Sequence, residues 1–193
     1  HHLYHMGFKI IAIADINGGI MHKDGLDYHL TYKELQKGKK LHQICMCDVH
    51  GPSKDCDNVG AQKILELPVD ILAPSAIGDQ ITKKNASKIK AKIIVELANH
   101  PIDSEADKIL SKKSVMIIPD ILANAGGVLG SYYEWLENTG GKKLDYDDSV
   151  TILTQKMKKA TRDVFKLSEK ENISMREAAY MIALKRIAKA LKK

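Results

Sequence analysis

The chain has few aromatic residues, 5% in all with two Phe and one Trp, so Val, Ile, Leu, Met and Ala must build its interior. No apolar run approaches the ~20 residues that a membrane helix needs. The opening His1 to Met6 has neither the long apolar stretch nor the small-residue cleavage site of a signal peptide. Cysteine is confined to Cys45, Cys47 and Cys56, an odd number that fits a reduced, cytoplasmic protein better than a disulfide framework. No repeat and no low-complexity segment is present. Arginine-rich runs and basic-aromatic platforms are also missing, which argues against nucleic acid as a partner despite a net charge of +6. Lys156, Lys158, Lys159, Lys166 and Lys170 are interspersed with Asp163, Glu169 and Glu171, as on a solvated helix face.

What is present is globular composition, 44% hydrophobic and 28% charged over 193 residues, enough for one ordinary domain. Strand-like runs alternate with helical ones, which predicts an α/β fold with a doubly wound, mostly parallel sheet. Expected strands are Phe8 to Asp15, Val69 to Ala73, Lys92 to Glu96 and Val115 to Ile118. Gly18-Gly19 and Asp24-Gly25 read as turns. Helices are expected at Tyr28 to Lys37, Asn58 to Glu66, Thr82 to Lys88, Asp103 or Ser104 to Ser111, and Ala125 to Asn138. Residues 38–57 have no regular pattern. Val150, Leu153, Met157, Ala160, Val164 and Leu167 form one apolar helical stripe. Ser174-Met-Arg-Glu177 is a capping box that opens the last helix. Two leading histidines are compatible with a purification tag, but the spacing of Leu3 and Met6 before Gly7 predicts the end of a helix already under way.

Candidate chemistry lies where the strands end. Asp15 closes a strand, the position from which an acid accepts hydrogen bonds from a ribose. Its usual companion, a G-x-G-x-x-G turn, is absent, because Gly18-Gly19 and Gly126-Gly127 lack that spacing. Three polar loops follow strands: Pro74-Ser75-Ala76, Glu96-Leu-Ala-Asn99 and Asp120-Ile-Leu-Ala-Asn-Ala-Gly-Gly127. Ligands of open parallel sheets bind beyond the carboxyl ends of strands. Asn99 and Asn124 carry both donors and acceptors, which suits a carboxamide; on position alone they serve equally well as loop and cap residues.

The wording of these segments resembles the nucleotide-binding domain of the glutamate, leucine, phenylalanine and valine dehydrogenase family. Asp15-Ile-Asn-Gly-Gly-Ile20, Val69-Asp-Ile-Leu-Ala-Pro-Ser-Ala76, Lys90-Ala-Lys-Ile-Ile-Val-Glu-Leu-Ala-Asn99 and above all Pro119-Asp-Ile-Leu-Ala-Asn-Ala-Gly-Gly-Val128 carry the likeness. It runs from Gly7 to the last helix. Ser131-Tyr-Tyr-Glu-Trp135 resembles the glutamate branch. The resemblance implies a Rossmann-like fold with NAD or NADP as cofactor. It makes Asp15 a ribose contact, places Ser75 and Ala76 in the cofactor cleft, and puts Asn99 and Asn124 near the nicotinamide. Val128 and Ser131 would face the substrate, glutamate or 2-oxoglutarate, with the serine hydroxyl donating to its distal carboxylate. Asp15 would repel a 2′-phosphate, which favours NAD. Leu97 and His100 stand where the family has glycine, and Ser75 where it has alanine.

The same resemblance places the family's catalytic lysine and aspartate in an N-terminal domain that no segment here matches. It implies a homo-oligomeric, hexameric parent enzyme whose first strand and most of whose first helix precede this chain. Residues 1–140 would then be the cofactor-binding core and 141–193 the C-terminal helices of the same domain. The chain alone is expected to lack activity. Two alternatives remain open, a leucine- or phenylalanine-type dehydrogenase and a non-catalytic nucleotide-binding or assembly module. Outside the family pattern, His42, Cys45, Cys47, His50 and Cys56 gather soft ligands in a short span. The C-x-C spacing is not that of a common zinc knuckle, and no metal is assigned.

Overall fold

The computed structural model describes residues 1–44, 56–141 and 144–192, with backbone alone at 56–58. It groups the chain into two compact units, His1–Val69 with Lys88–Ala91, and Asp70–Ser87 with Lys92–Lys193.

The first unit begins with α1 (His2–His5). The amide of Phe8 reaches the Leu3 carbonyl and that of Gly7 reaches Tyr4, with Gly7 at φ 85°. This is a Schellman end, the helix-to-strand stop that the sequence predicts. β1 (Ala12–Asp15) and β2 (Gly18–His22) then form an antiparallel hairpin, and β3 (Cys56–Val59) pairs antiparallel with β2. Three expectations change in this unit. The strand expected over Phe8 to Asp15 is short and half-exposed, with Ile13 38% accessible. Gly18-Gly19 belongs to a strand, and the turn falls on Ile16-Asn17. The hairpin needs Gly19, because a Cβ there would press into the Ile13 carbonyl and the Ala14 side chain. α2 (Tyr28–Gln36) is capped by Asp27, whose carboxylate accepts from the Leu30 amide at 2.8 Å. The helix expected over Asn58 to Glu66 is reduced to α3 (Ala61–Ile64), because pairing with β2 draws Asn58 and Val59 into β3. Ile20, Leu26, Leu41 and Ile44 form this unit's core.

The second unit contains a parallel sheet in the order β4 (Ile71–Leu72), β5 (Ile93–Val95), β6 (Met116–Ile118). Each strand falls inside the segment expected to be one. The brief helix expected from Thr82 is a turn leading into a 3₁₀ turn at Ala86–Lys88, with the Thr82 hydroxyl accepting from Lys84. Between β5 and β6 runs α4 (Ser104–Lys112), capped by Asp103 through the Ala106 amide at 2.6 Å. After β6 come α5 (Asp120–Ala123), α6 (Ala125–Asn138), α7 (Tyr146–Glu171) and α8 (Met175–Leu191). The capping box is formed: Ser174 accepts from the Glu177 amide, and the Glu177 carboxylate accepts from the Ser174 amide at 2.9 Å. Val164 of the predicted stripe packs with Leu122, Met175, Ala178 and Ala179, and Ala160 and Leu167 join them. Among the described residues no helix is long and apolar enough to cross a membrane.

Candidate functional site

The loops after β4, β5 and β6 lie at the carboxyl ends of three adjacent parallel strands. Parallel strands share a direction, so such loops share one edge of the sheet, and ligands of open α/β sheets bind there. Hydrogen bonds tie the loops together. The Pro74 carbonyl accepts from the amides of Leu97 and Ala98, at 3.1 and 2.9 Å. Asn124 Nδ2 donates to Asn99 Oδ1 at 2.7 Å and to the Leu97 carbonyl at 3.4 Å. Asn124 sits between α5 and α6, yet its side chain caps neither helix. Its amide is given instead to Asn99. The Asn99 amide nitrogen and the Asn124 carbonyl oxygen are left uncommitted among the described residues. One donor beside one acceptor is the complement of a carboxamide.

The other candidates are distributed as follows. Ser75 is exposed, its hydroxyl donating to the Ala73 carbonyl at 3.0 Å, and Ala76 follows on the same exposed loop. Val128 and Ser131 are exposed on α6. They stand four and seven residues after Asn124, on one helical stripe that rises about 10 Å. Asp15 belongs to the first unit, where its carboxylate accepts from the Asn17 amide at 2.7 Å and shapes the hairpin turn. Leu97 is accommodated at ordinary φ with its side chain 43% exposed. His100, the other residue at a family glycine, has φ 49°. A left-handed backbone explains a glycine there. Here His100 Nδ1 meets Asp79 Oδ1 at 3.2 Å instead.

Sequence reasoning missed the groups beneath these loops. Glu96, at the end of β5, is fully buried. Its Oε1 accepts from Arg176 Nη2 at 2.6 Å and its Oε2 from the Asp120 backbone amide at 2.8 Å. Arg176 Nε donates to Asp107 on α4 at 2.7 Å, and Nη1 lies 3.5 Å from Asp120 Oδ1. Asp120 Oδ2 in turn accepts from the His100 amide at 2.9 Å. Burial pushes the Arg176 guanidinium down, but the hydrogen bonds and charges of Glu96 and then Asp107 outweigh it and hold the cation firmly protonated. Two signals pointed here, a carboxylate ending the apolar run Ile93-Ile94-Val95 and a cation in the first turn of a helix, where the dipole opposes it.

Of the candidate metal ligands, Cys45, Cys47 and His50 lie outside the described residues, as does the side chain of Cys56. His42 Nδ1 is buried with no hydrogen-bond partner among the described residues. No group of three or more His, Cys, Asp and Glu capable of holding a metal occurs among those residues.

A parallel sheet with helices between and after its strands defines the class, a Rossmann-like α/β domain. The profile of the Glutamate/Leucine/Phenylalanine/Valine dehydrogenase family matches residues 1–193, and the chain belongs to that family. It is 42% identical over 188 residues to a glutamate dehydrogenase of Thermotoga maritima, covering 97% of this chain and 43% of that protein. It is 42% identical over 203 residues to a glutamate dehydrogenase of Aeropyrum pernix, covering 98% and 44%. The chain therefore spans less than half the length of these curated relatives. Among solved structures, glutamate dehydrogenase from Peptoniphilus asaccharolyticus superposes with a TM-score of 0.72 at 31% identity, covering 99% of this chain and 42% of that one. A hetero-hexameric glutamate dehydrogenase from Thermus thermophilus shares the fold with a TM-score of 0.82 at 23% identity, covering 98% and 42%.

Proposed function

We propose that this chain is the cofactor-binding part of an NAD(P)-dependent glutamate dehydrogenase, which converts L-glutamate and water to 2-oxoglutarate and ammonia. The observation that carries the reading is the Asn99–Asn124 pair, held across two loops with one donor and one acceptor free. That pair would receive the nicotinamide carboxamide and fix the orientation of the ring. When bound, the cofactor supplies the hydride acceptor. Val128 and Ser131 continue the α6 stripe away from the pair, so Val128 would pack on the substrate and Ser131 would donate to its distal carboxylate. Ser75 and Ala76 border the same loops and line the cleft, and Asp15 takes the ribose, favouring NAD over NADP. The parent enzyme in this reading is cytoplasmic and homo-oligomeric, with no nucleic-acid or membrane partner, and the catalytic lysine and aspartate come from its other domain. In this reading the chain by itself is inactive.

The test is steady-state kinetics on the full-length protein. Ser131→Ala is expected to lower kcat/KM for glutamate by roughly ten- to a hundredfold, the loss of one hydrogen bond to a charge, while norvaline loses little. An unchanged glutamate-to-norvaline ratio would remove glutamate as the assigned substrate and leave an amino-acid dehydrogenase of unspecified substrate.

A further inference from the structure

We propose that Arg176 is a positioning residue for the nicotinamide site, setting the register between the loops that carry Asn99 and Asn124. This inference rests on the reading of that pair as the carboxamide contact. The amide pair itself is joined by a 2.7 Å hydrogen bond that is exposed to water. Beneath it the two loops share a buried anchor. Glu96 ends β5 three residues before Asn99 and holds the first amide of α5, four residues before Asn124. Asp120, which supplies that amide, returns its carboxylate to the backbone of His100, next to Asn99. Glu96 and Asp120 therefore form a reciprocal clasp between the loops, each carboxylate taking a backbone amide from the other side.

Two carboxylates this close repel each other and need a cation between them. Arg176 is that cation, contacting Glu96 at 2.6 Å and Asp120 at 3.5 Å from two different nitrogens. Its third nitrogen is tied to Asp107 at 2.7 Å, which fixes the guanidinium plane against α4. A planar fork with three directed donors can do this, and a lysine ammonium cannot make all three contacts in that geometry. Arg176 does not itself reach the amide pair. It acts through the clasp, so its removal should loosen the carboxamide contact and spare the parts of the site that bind adenosine and pyrophosphate.

NADH and ADP-ribose separate these effects, since ADP-ribose lacks the nicotinamide. Dissociation constants of both would be measured by titration of the full-length protein and of Arg176→Met, Arg176→Lys and Asn124→Ala, alongside thermal melts. Asn124→Ala tests the underlying reading: NADH affinity should fall with ADP-ribose affinity unchanged, and an equal effect on both would overturn the carboxamide assignment. Arg176→Met should then give the same selective loss, on the order of tenfold for NADH, with Arg176→Lys restoring part of it. If Asn124→Ala is selective while Arg176→Met weakens both ligands equally or neither, Arg176 is structural only and the proposal fails. Should Arg176→Met not fold, Asp107→Asn, which only unfastens the guanidinium from α4, takes its place. It must show the same selectivity to a smaller degree, and its absence overturns the proposal.

Discussion

Each unit has an ionic cluster built on a glutamate, and the two differ in sequence range, in burial and in the cation they use. In the first unit Glu34 on α2 meets Lys37 at 2.5 Å and Lys39 at 2.6 Å, close in sequence and with both ammonium groups in water. In the second unit Glu96 meets one guanidinium from 80 residues away, with no exposed surface of its own. Lysines of the surface cluster can dissociate into solvent at little cost. The buried carboxylate has no such alternative, because its desolvation is compensated only by the Arg176 and Asp120 donors. Contacts of similar length therefore carry very different consequences, and burial decides which.

The comparison can be broken most directly at the glutamates. Glu96→Ala takes the nearest carboxylate from a guanidinium that keeps Asp107 and Asp120, and it leaves the Asp120 amide without its acceptor; it is expected to lower stability by about 1–3 kcal/mol, read from denaturant unfolding of the full-length protein. Glu34→Ala should leave the unfolding midpoint nearly unchanged at physiological salt. Equal losses from the two substitutions would overturn the distinction.

A second comparison concerns two helix ends with the same hydrogen bonds and different residues. Gly7 ends α1 at φ 85°, and Ser114 ends α4 at φ 57°, where the amide of Val115 reaches the Leu110 carbonyl. Ser114→Gly should raise stability and Gly7→Ala should lower it, each by about 1 kcal/mol. Thermal melts that move in the same direction for both would contradict the left-handed assignment at one of them.

The smallest effect is expected in acid. Hydrogen bonds from Lys37 and then Lys39 lower the Glu34 carboxyl to about 2, against 4.5 for the free group. A depressed carboxylate contributes stability that is complete above the unfolded value and is lost as pH falls toward the folded one. At low salt, where the pair is least screened, the small difference between the parent and Glu34→Gln should therefore close between pH 4.5 and about 2. A gap that widens over that interval would reverse the sign of the interaction.

Legibility in the sequence follows the distance over which each feature is decided. Asp103 and Ser174 cap their helices through contacts three residues away, and the stripe through Val164 is a local period, so α4, α7 and α8 were readable, whereas α5 falls in a segment read as a loop. Strands β4 to β6 were readable too, as short apolar runs bounded by turn residues. The hairpin was not, because the Asn17-Gly18 turn signal falls one residue out of register with the turn at Ile16-Asn17 and the pairing of Asn58 with Ile20 is non-local. Asn99 and Asn124 could be proposed as site residues from motif wording, but their mutual hydrogen bond spans 25 residues and only the fold reveals it. Arg176 was further out of reach. Within Ser174-Met-Arg-Glu177 the capping pattern accounts for the serine and the glutamate and says nothing of the arginine between them.

The span between Glu96 and Arg176 also has a meaning in time. A ribosome adds roughly 5–20 residues per second, so the guanidinium emerges on the order of 4–16 s after the carboxylate it neutralises. During that interval β5 has its neighbours β4 and then β6 available, but not the cation that makes Glu96 tolerable in the interior. The nascent sheet must keep this edge wetted until α8 is made. Completion of the sheet is thereby coupled to completion of α8, and a polypeptide released before Arg176 would retain its strands without the means to close over them.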